Sequence, residues 1–163
     1  MRSPRALNDD FLDLLSALQG ADVRFMIVGA YAVGVHARPR ATKDLDVWIE
    51  ASVENARKVV LALKVFGAPL DEVGEGDFAR AGTGFMMGIP PHRIDILTQI
   101  SGVSFEAAWE NRFVAAVGPR LRCPFIGLAD LIRNKRAAGR DQDLVDADVL
   151  ESVARRPRLP QGG

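Results

Sequence analysis

Apolar residues recur at helical spacing near the start of the chain. Phe11, Leu14, Leu15 and Leu18 form one stripe, Asn8 supplies an N-cap, Asp9 and Asp10 fall in the first turn, and Gly20 ends the segment. The run Arg24–Val28 is short and apolar and predicts a strand. A short helix follows over 30–37, interrupted by Gly34, and Pro39 turns the chain into a loop. Leu45–Ile49 is the next predicted strand. Ser52 then caps an amphipathic helix carrying Val53, Ala56, Val59, Val60 and Leu63 and closing at Gly67.

The pattern weakens over 68–82, where glycines and acids predict a loop with a short helix near Phe78. Two strands, 83–88 and 93–98, flank a Pro90-Pro91 turn. Apolar positions alternate poorly in the second, so both of its faces are expected to be buried. Ser104 caps a helix through Trp109. Short strands are expected over 112–117 and 121–125, around Gly118-Pro119. Two helices, 128–138 and 141–154, close the pattern, and a Pro- and Arg-rich tail of 155–163 is expected to fray. Strands and helices alternate without a regular βαβ repeat. The expected class is α+β: a mixed sheet flanked by helices, in a single domain of residues 1–154.

Composition narrows the partners. The 163 residues are 48% hydrophobic and 26% charged, and 21 Lys+Arg balance 21 Asp+Glu. There is no global basic field of the kind that draws nucleic acid, although a local patch is compatible with these totals. The one cysteine, Cys123, excludes an internal disulfide and reads as a small packed residue, which suits a reducing compartment. No apolar run approaches the roughly 20 residues that span a bilayer. The N-terminus MRSPRALNDD has no apolar stretch of signal-peptide type. A cytoplasmic location without membrane contact is expected.

The candidate chemistry lies in two segments. In a strand, residues i and i+2 project to the same side, so Asp44 and Asp46 project together. Two adjacent carboxylates repel unless a cation stands between them, although a solvated strand end also tolerates them. Gly29, at the end of the preceding strand, lets the backbone approach a bulky anion. Asp95 interrupts an apolar strand, where an unpaired carboxylate is costly. A metal satisfies it, and so does a salt bridge to Arg93 or Lys135. If its strand lies beside that of Asp44 and Asp46, three oxygen ligands converge, a set suited to Mg²⁺ or Mn²⁺ rather than zinc. Together these features point to handling of a nucleoside triphosphate. Thr42 and Lys43, just before the acid pair, can touch phosphate or the acceptor, or simply lead into the strand. Lys135 shares a helical stripe with Leu128, Leu131 and Ile132 and so starts from the inward face. From there it can reach phosphate or snorkel outward. Arg140, Asp143 and Asp146 follow on the next helix, to brace the lysine or to serve structure alone.

These residues carry a resemblance. Gly29-Ala30-Tyr31-Ala32-Val33, the segment Arg40-Ala41-Thr42-Lys43-Asp44-Leu45-Asp46 and the later Asp95 resemble the pattern of the nucleotidyltransferase (polymerase β-like) superfamily. They look most like small bacterial and archaeal members related to the AbiEii toxin group. The resemblance spans most of residues 24–150. It implies a nucleotidyltransferase fold and two-metal transfer of a nucleoside monophosphate from an NTP to a protein or RNA hydroxyl. Asp44, Asp46 and Asp95 would be the catalytic, metal-holding acids. Gly29 and Ala30 would face the nucleotide; the residues themselves, apart from the resemblance, suggest that Thr42, Lys43 and Lys135 do so too, with Arg140, Asp143 and Asp146 behind them. It also implies a toxin–antitoxin or phage-defence setting and a cognate antitoxin as partner. One departure stands out: Ala30 occupies a position where the family usually has Gly or Ser, and it offers no hydroxyl. That favours a second reading, a catalytically silent nucleotide- or partner-binding module that keeps the fold.

Overall fold

Burial along the strands of the computed structural model separates the two faces of its sheet. The structure describes residues 8–38, 44–89 and 92–156. In order the elements are α1 (Asp9–Gly20), β1 (Phe25–Val28), α2 (Gly29–His36), β2 (Asp44–Ile49), α3 (Val53–Phe66), α4 (Glu75–Phe78), β3 (Gly84–Met87), β4 (Arg93–Leu97), α5 (Phe105–Glu110), β5 (Phe113–Val117), β6 (Leu121–Phe125), α6 (Leu128–Ala138) and α7 (Asp141–Ala154). The six strands of the described residues form one mixed sheet in the order β3-β4-β2-β1-β6-β5. β1 runs antiparallel to β2 and parallel to β6; β2 runs parallel to β4; the edge strands β3 and β5 run antiparallel to β4 and β6.

Leu45, Val47 and Ile49 of β2 are fully buried on one face of the sheet, where Ile27 and Phe25 of β1 stand beside Val47 and Ile49. Asp44, Asp46 and Trp48 project to the other face. There Trp48 is covered by Phe105 of α5, edge to face at 5.1 Å. The helices follow the predicted stripes. Phe11, Leu14, Leu15 and Leu18 are fully buried, and Asn8 accepts a 3.0 Å bond from the Phe11 amide. Ser52 caps α3, and Gly67 ends it with φ 92°, a left-handed conformation that glycine adopts without a steric penalty. Cys123 is buried, and burial pushes its thiol up to about 12.

Three expectations are corrected. Val53 does not join the apolar stripe: it opens α3 64% exposed, on the side of the first turn turned away from the buried Asn55 and Ala56. Gly34 does not interrupt α2, which runs unbroken from Gly29 to His36. β4 is not buried on both faces. Its pattern is a clean alternation, with Ile94 and Ile96 in the core and Arg93, Asp95 and Leu97 half-buried on the face that carries Asp44 and Asp46. The Pro90-Pro91 turn lies outside the described residues.

Candidate active site

The site begins where β1 ends. Val28 is the register partner of Asp46, and the next residue, Gly29, opens α2 with φ 68°. The Asp46 carboxylate lies over this turn. A Cβ on Gly29 would collide with Asp46 Oδ2 and stand 3.0 Å from Asp46 Cγ. Glycine is thus required twice, for its left-handed backbone and for the approach of the acid.

The parallel pairing of β2 with β4 supplies the rest of the sheet side. Asp44 stands beside Arg93, and Asp46 beside Asp95. Four charged side chains therefore occupy a two-by-two patch of one sheet face. Asp44, Asp46 and Asp95 line one cavity of about 540 Å³, together with Gly29 and Ala30. The patch is electrostatically uncomfortable. Burial, then the charge of Asp95 and a hydrogen bond with it, then the charge of Asp44, push Asp46 from 3.8 up to about 6, against an opposing pull from Lys135. Arg93 donates from Nε to Asp95 Oδ1 at 3.2 Å, and this hydrogen bond holds its guanidinium above its ordinary range.

The far wall of the cavity comes from α6 and α7. Lys135 is 7% exposed, and its Nζ lies 3.3 Å from both Asp143 Oδ1 and Asp146 Oδ2. Arg140 precedes α7 and donates from Nε to Asp143 Oδ2 at 2.7 Å, while its backbone N–H donates to the same oxygen at 3.2 Å. Burial alone would raise Asp143, but its hydrogen bonds from Arg140 and Lys135 hold it below the usual carboxylate range. Gln142 donates to Asp146 Oδ1 at 2.9 Å. The two helices are thereby joined by a buried ionic clasp that lines the same cavity as the acidic patch.

Nine of the eleven site residues singled out in the sequence line this cavity: Gly29, Ala30, Asp44, Asp46, Asp95, Lys135, Arg140, Asp143 and Asp146. Thr42 and Lys43 lie outside the described residues. Lys135 does start from the inward face, but its ammonium is held by two carboxylates. From the sequence Arg93 is expected only as a salt-bridge partner, and the structure makes it part of the cavity wall; its i, i+2 spacing from Asp95 is the available signal. Gln142 was missed. Its i, i+4 relation to Asp146 was the only signal, and a weak one.

The donors fit a hard divalent cation in kind. All three acids offer oxygen, they share one cavity wall, and their mutual repulsion is what such a cation relieves. Among the described residues, no three His, Cys, Asp or Glu side chains stand in a ready metal-holding cluster.

No protein-family model matches this chain, and no curated protein matches it by sequence. Its fold is similar to that of a solved structure, the lincosamide antibiotic adenylyltransferase LnuA with lincomycin bound. The TM-score is 0.53 over 91% of this chain and 98% of that one, at 14% identity. The likeness is one of fold: the mixed sheet with its flanking helices is nucleotidyltransferase-like. Among the described residues, no helix is long and apolar enough to cross a membrane.

Proposed function

We propose that this protein is a metal-dependent nucleotidyltransferase that moves a nucleoside monophosphate from an NTP to a hydroxyl acceptor. One observation carries the reading: Asp44 and Asp46 on β2 and Asp95 on the neighbouring β4 line one cavity with the glycine turn that opens α2. A strand–glycine–helix turn suits close backbone approach to phosphate oxygens, so Gly29 and Ala30 would face the triphosphate. Asp44, Asp46 and Asp95 would hold Mg²⁺ or Mn²⁺. When bound, such a cation neutralises triphosphate charge and lowers the pKa of an attacking hydroxyl.

In the reaction, the acceptor oxygen forms a bond to the α-phosphorus, and the bond from that phosphorus to the bridging oxygen of the β-phosphate breaks. Pyrophosphate departs with the bonding pair, and the acceptor's proton passes to a carboxylate, for which Asp95 is the residue proposed. Lys135 and Arg140 would face the phosphates, oriented by Asp143 and Asp146. Thr42 and Lys43 would complete the phosphate contacts.

The acceptor is proposed to be an RNA or protein hydroxyl, in a cytoplasmic toxin–antitoxin or phage-defence setting with a cognate antitoxin. The name of the structural neighbour adds a small-molecule hydroxyl to the acceptors to be tried. A second reading, a silent nucleotide-binding module, is favoured by a specific observation. Each described cation lining the cavity is already paired with an acid: Arg93 with Asp95, Lys135 with Asp143 and Asp146, and Arg140 with Asp143. Transfer of label from α-³²P NTPs, compared between the wild type and Asp44→Asn, separates the two. NTP binding without transfer to any acceptor class would favour the silent module.

A further inference from the structure

Arg93 is the one cation in the two-by-two patch of charges on the sheet face. Its register neighbour on β2 is Asp44, and its i+2 neighbour on its own strand is Asp95. The guanidinium is tethered through Nε to Asp95 Oδ1 at 3.2 Å. This is the oxygen chemistry that a divalent cation would use. The ion pair is only half-sheltered: the Arg93 side chain is 36% exposed and that of Asp95 17%. An arginine with one face open to water can leave a carboxylate at small cost. The clasp around Lys135 differs in this respect, since its lysine and both aspartates are nearly inaccessible.

We infer that Arg93 is an intramolecular placeholder for a cation, holding Asp95 in the resting protein and competing directly with a divalent ion for its carboxylate. This rests on reading the cavity as a divalent-cation site. The pairing gives a physical reason why three acids share one wall without forming a ready cluster: one of them leans on a neighbouring guanidinium. A cation that takes Asp95 must release Arg93. The freed guanidinium, anchored two residues from Asp95, then stands at the edge of the cavity where the phosphates of a nucleotide are proposed to lie. Arg93 would act in this way as a positioning residue that couples ion entry to nucleotide binding.

The test is Mn²⁺ binding to the full-length protein without nucleotide, read by the electron paramagnetic resonance signal of free Mn²⁺. Arg93→Gln removes the competitor and is expected to tighten Mn²⁺ binding about threefold to tenfold. In an Asp95→Asn background the same substitution should change affinity by less than about twofold, because the contested oxygen is no longer a carboxylate. Arg93→Lys, which keeps the charge but loses the fork, should fall between the wild type and Arg93→Gln. Equal tightening in both backgrounds would mean a general field effect and would overturn the inference while leaving the cation site intact. Unchanged or weaker binding by Arg93→Gln would do the same. If none of the forms, wild type included, binds Mn²⁺, the inference and the cation-site reading both fall.

Discussion

Asp46→Asn should stabilise the metal-free protein, and the gain should depend on pH. Asp46 lies over the Gly29 turn, beside Asp95 and near Asp44, and is pushed from 3.8 up to about 6. The difference of about 2.2, at ~1.36 kcal/mol for each unit of pKa, makes the ionised side chain cost about 3 kcal/mol of folding stability. The sign follows from where the proton is held. Between pH 3.8 and about 6 the folded chain keeps a proton that the unfolded chain releases, so stability falls as pH rises through that window. The cost is fully present above about pH 6 and absent below pH 3.8. Asparagine has nearly the same shape, carries no charge and can still donate to Asp95. In EDTA at pH 7.5 the variant should therefore melt about 6–12 °C above the wild type, at roughly 2–4 °C per kcal/mol for a chain of this size. At pH 5 the gap should shrink to roughly half, since only about 1.6 kcal/mol of the cost remains there. Scanning calorimetry at both pH values reads it. Equal melting temperatures at pH 7.5 would refute the electrostatic account of the patch. A gap that persists unchanged at pH 5 would show that the effect is packing rather than charge.

Two further substitutions probe the frame of the site. Gly29→Ala places a methyl group against the Asp46 carboxylate at φ 68° and should lower stability by about 2–3 kcal/mol in urea unfolding, while abolishing NTP binding in a fluorescent-nucleotide titration; a variant that keeps both would contradict the tight turn. Lys135→Met leaves Asp143 and Asp146 without their shared buried cation and should cost about 3–5 kcal/mol, with Asp146→Asn in the same chain recovering part of the loss; a cost below about 0.5 kcal/mol would mean that the clasp is not what joins α6 to α7.

The sequence was most legible where periodicity and capping agreed. The boundaries of α6 and α7 and the caps at Asn8, Ser52 and Ser104 follow from local chemistry, and the structure bears them out. Asp44 and Asp46 were legible as a pair because strand alternation is strict. The neighbourhood of Asp46 and Asp95 was not. It depends on β2 and β4 being adjacent and parallel, a long-range pairing that no local pattern encodes. The misreading of β4 has a simple cause: Leu97 is apolar but sits on the half-buried face with Arg93 and Asp95, so hydrophobicity alone blurred a clean alternation. Lys135 shows the opposite limit. Helical spacing gave its inward direction, but only the packing of α7 against α6 decided that its ammonium would meet two aspartates. Val53 shows that an apolar residue in the first turn of a helix need not reach the core.

The central claim is that the acidic patch on β2 and β4 supports transfer of a nucleoside monophosphate. The most direct measurement is incubation of the full-length protein with each of four α-³²P NTPs, Mg²⁺ or Mn²⁺, and separate RNA, protein and small-molecule hydroxyl acceptors, with released pyrophosphate counted in parallel. The account predicts label on one acceptor class with matching pyrophosphate, lost at least about 100-fold in Asp44→Asn. Absence of label and pyrophosphate with every acceptor, or transfer that survives Asp44→Asn undiminished, would contradict it.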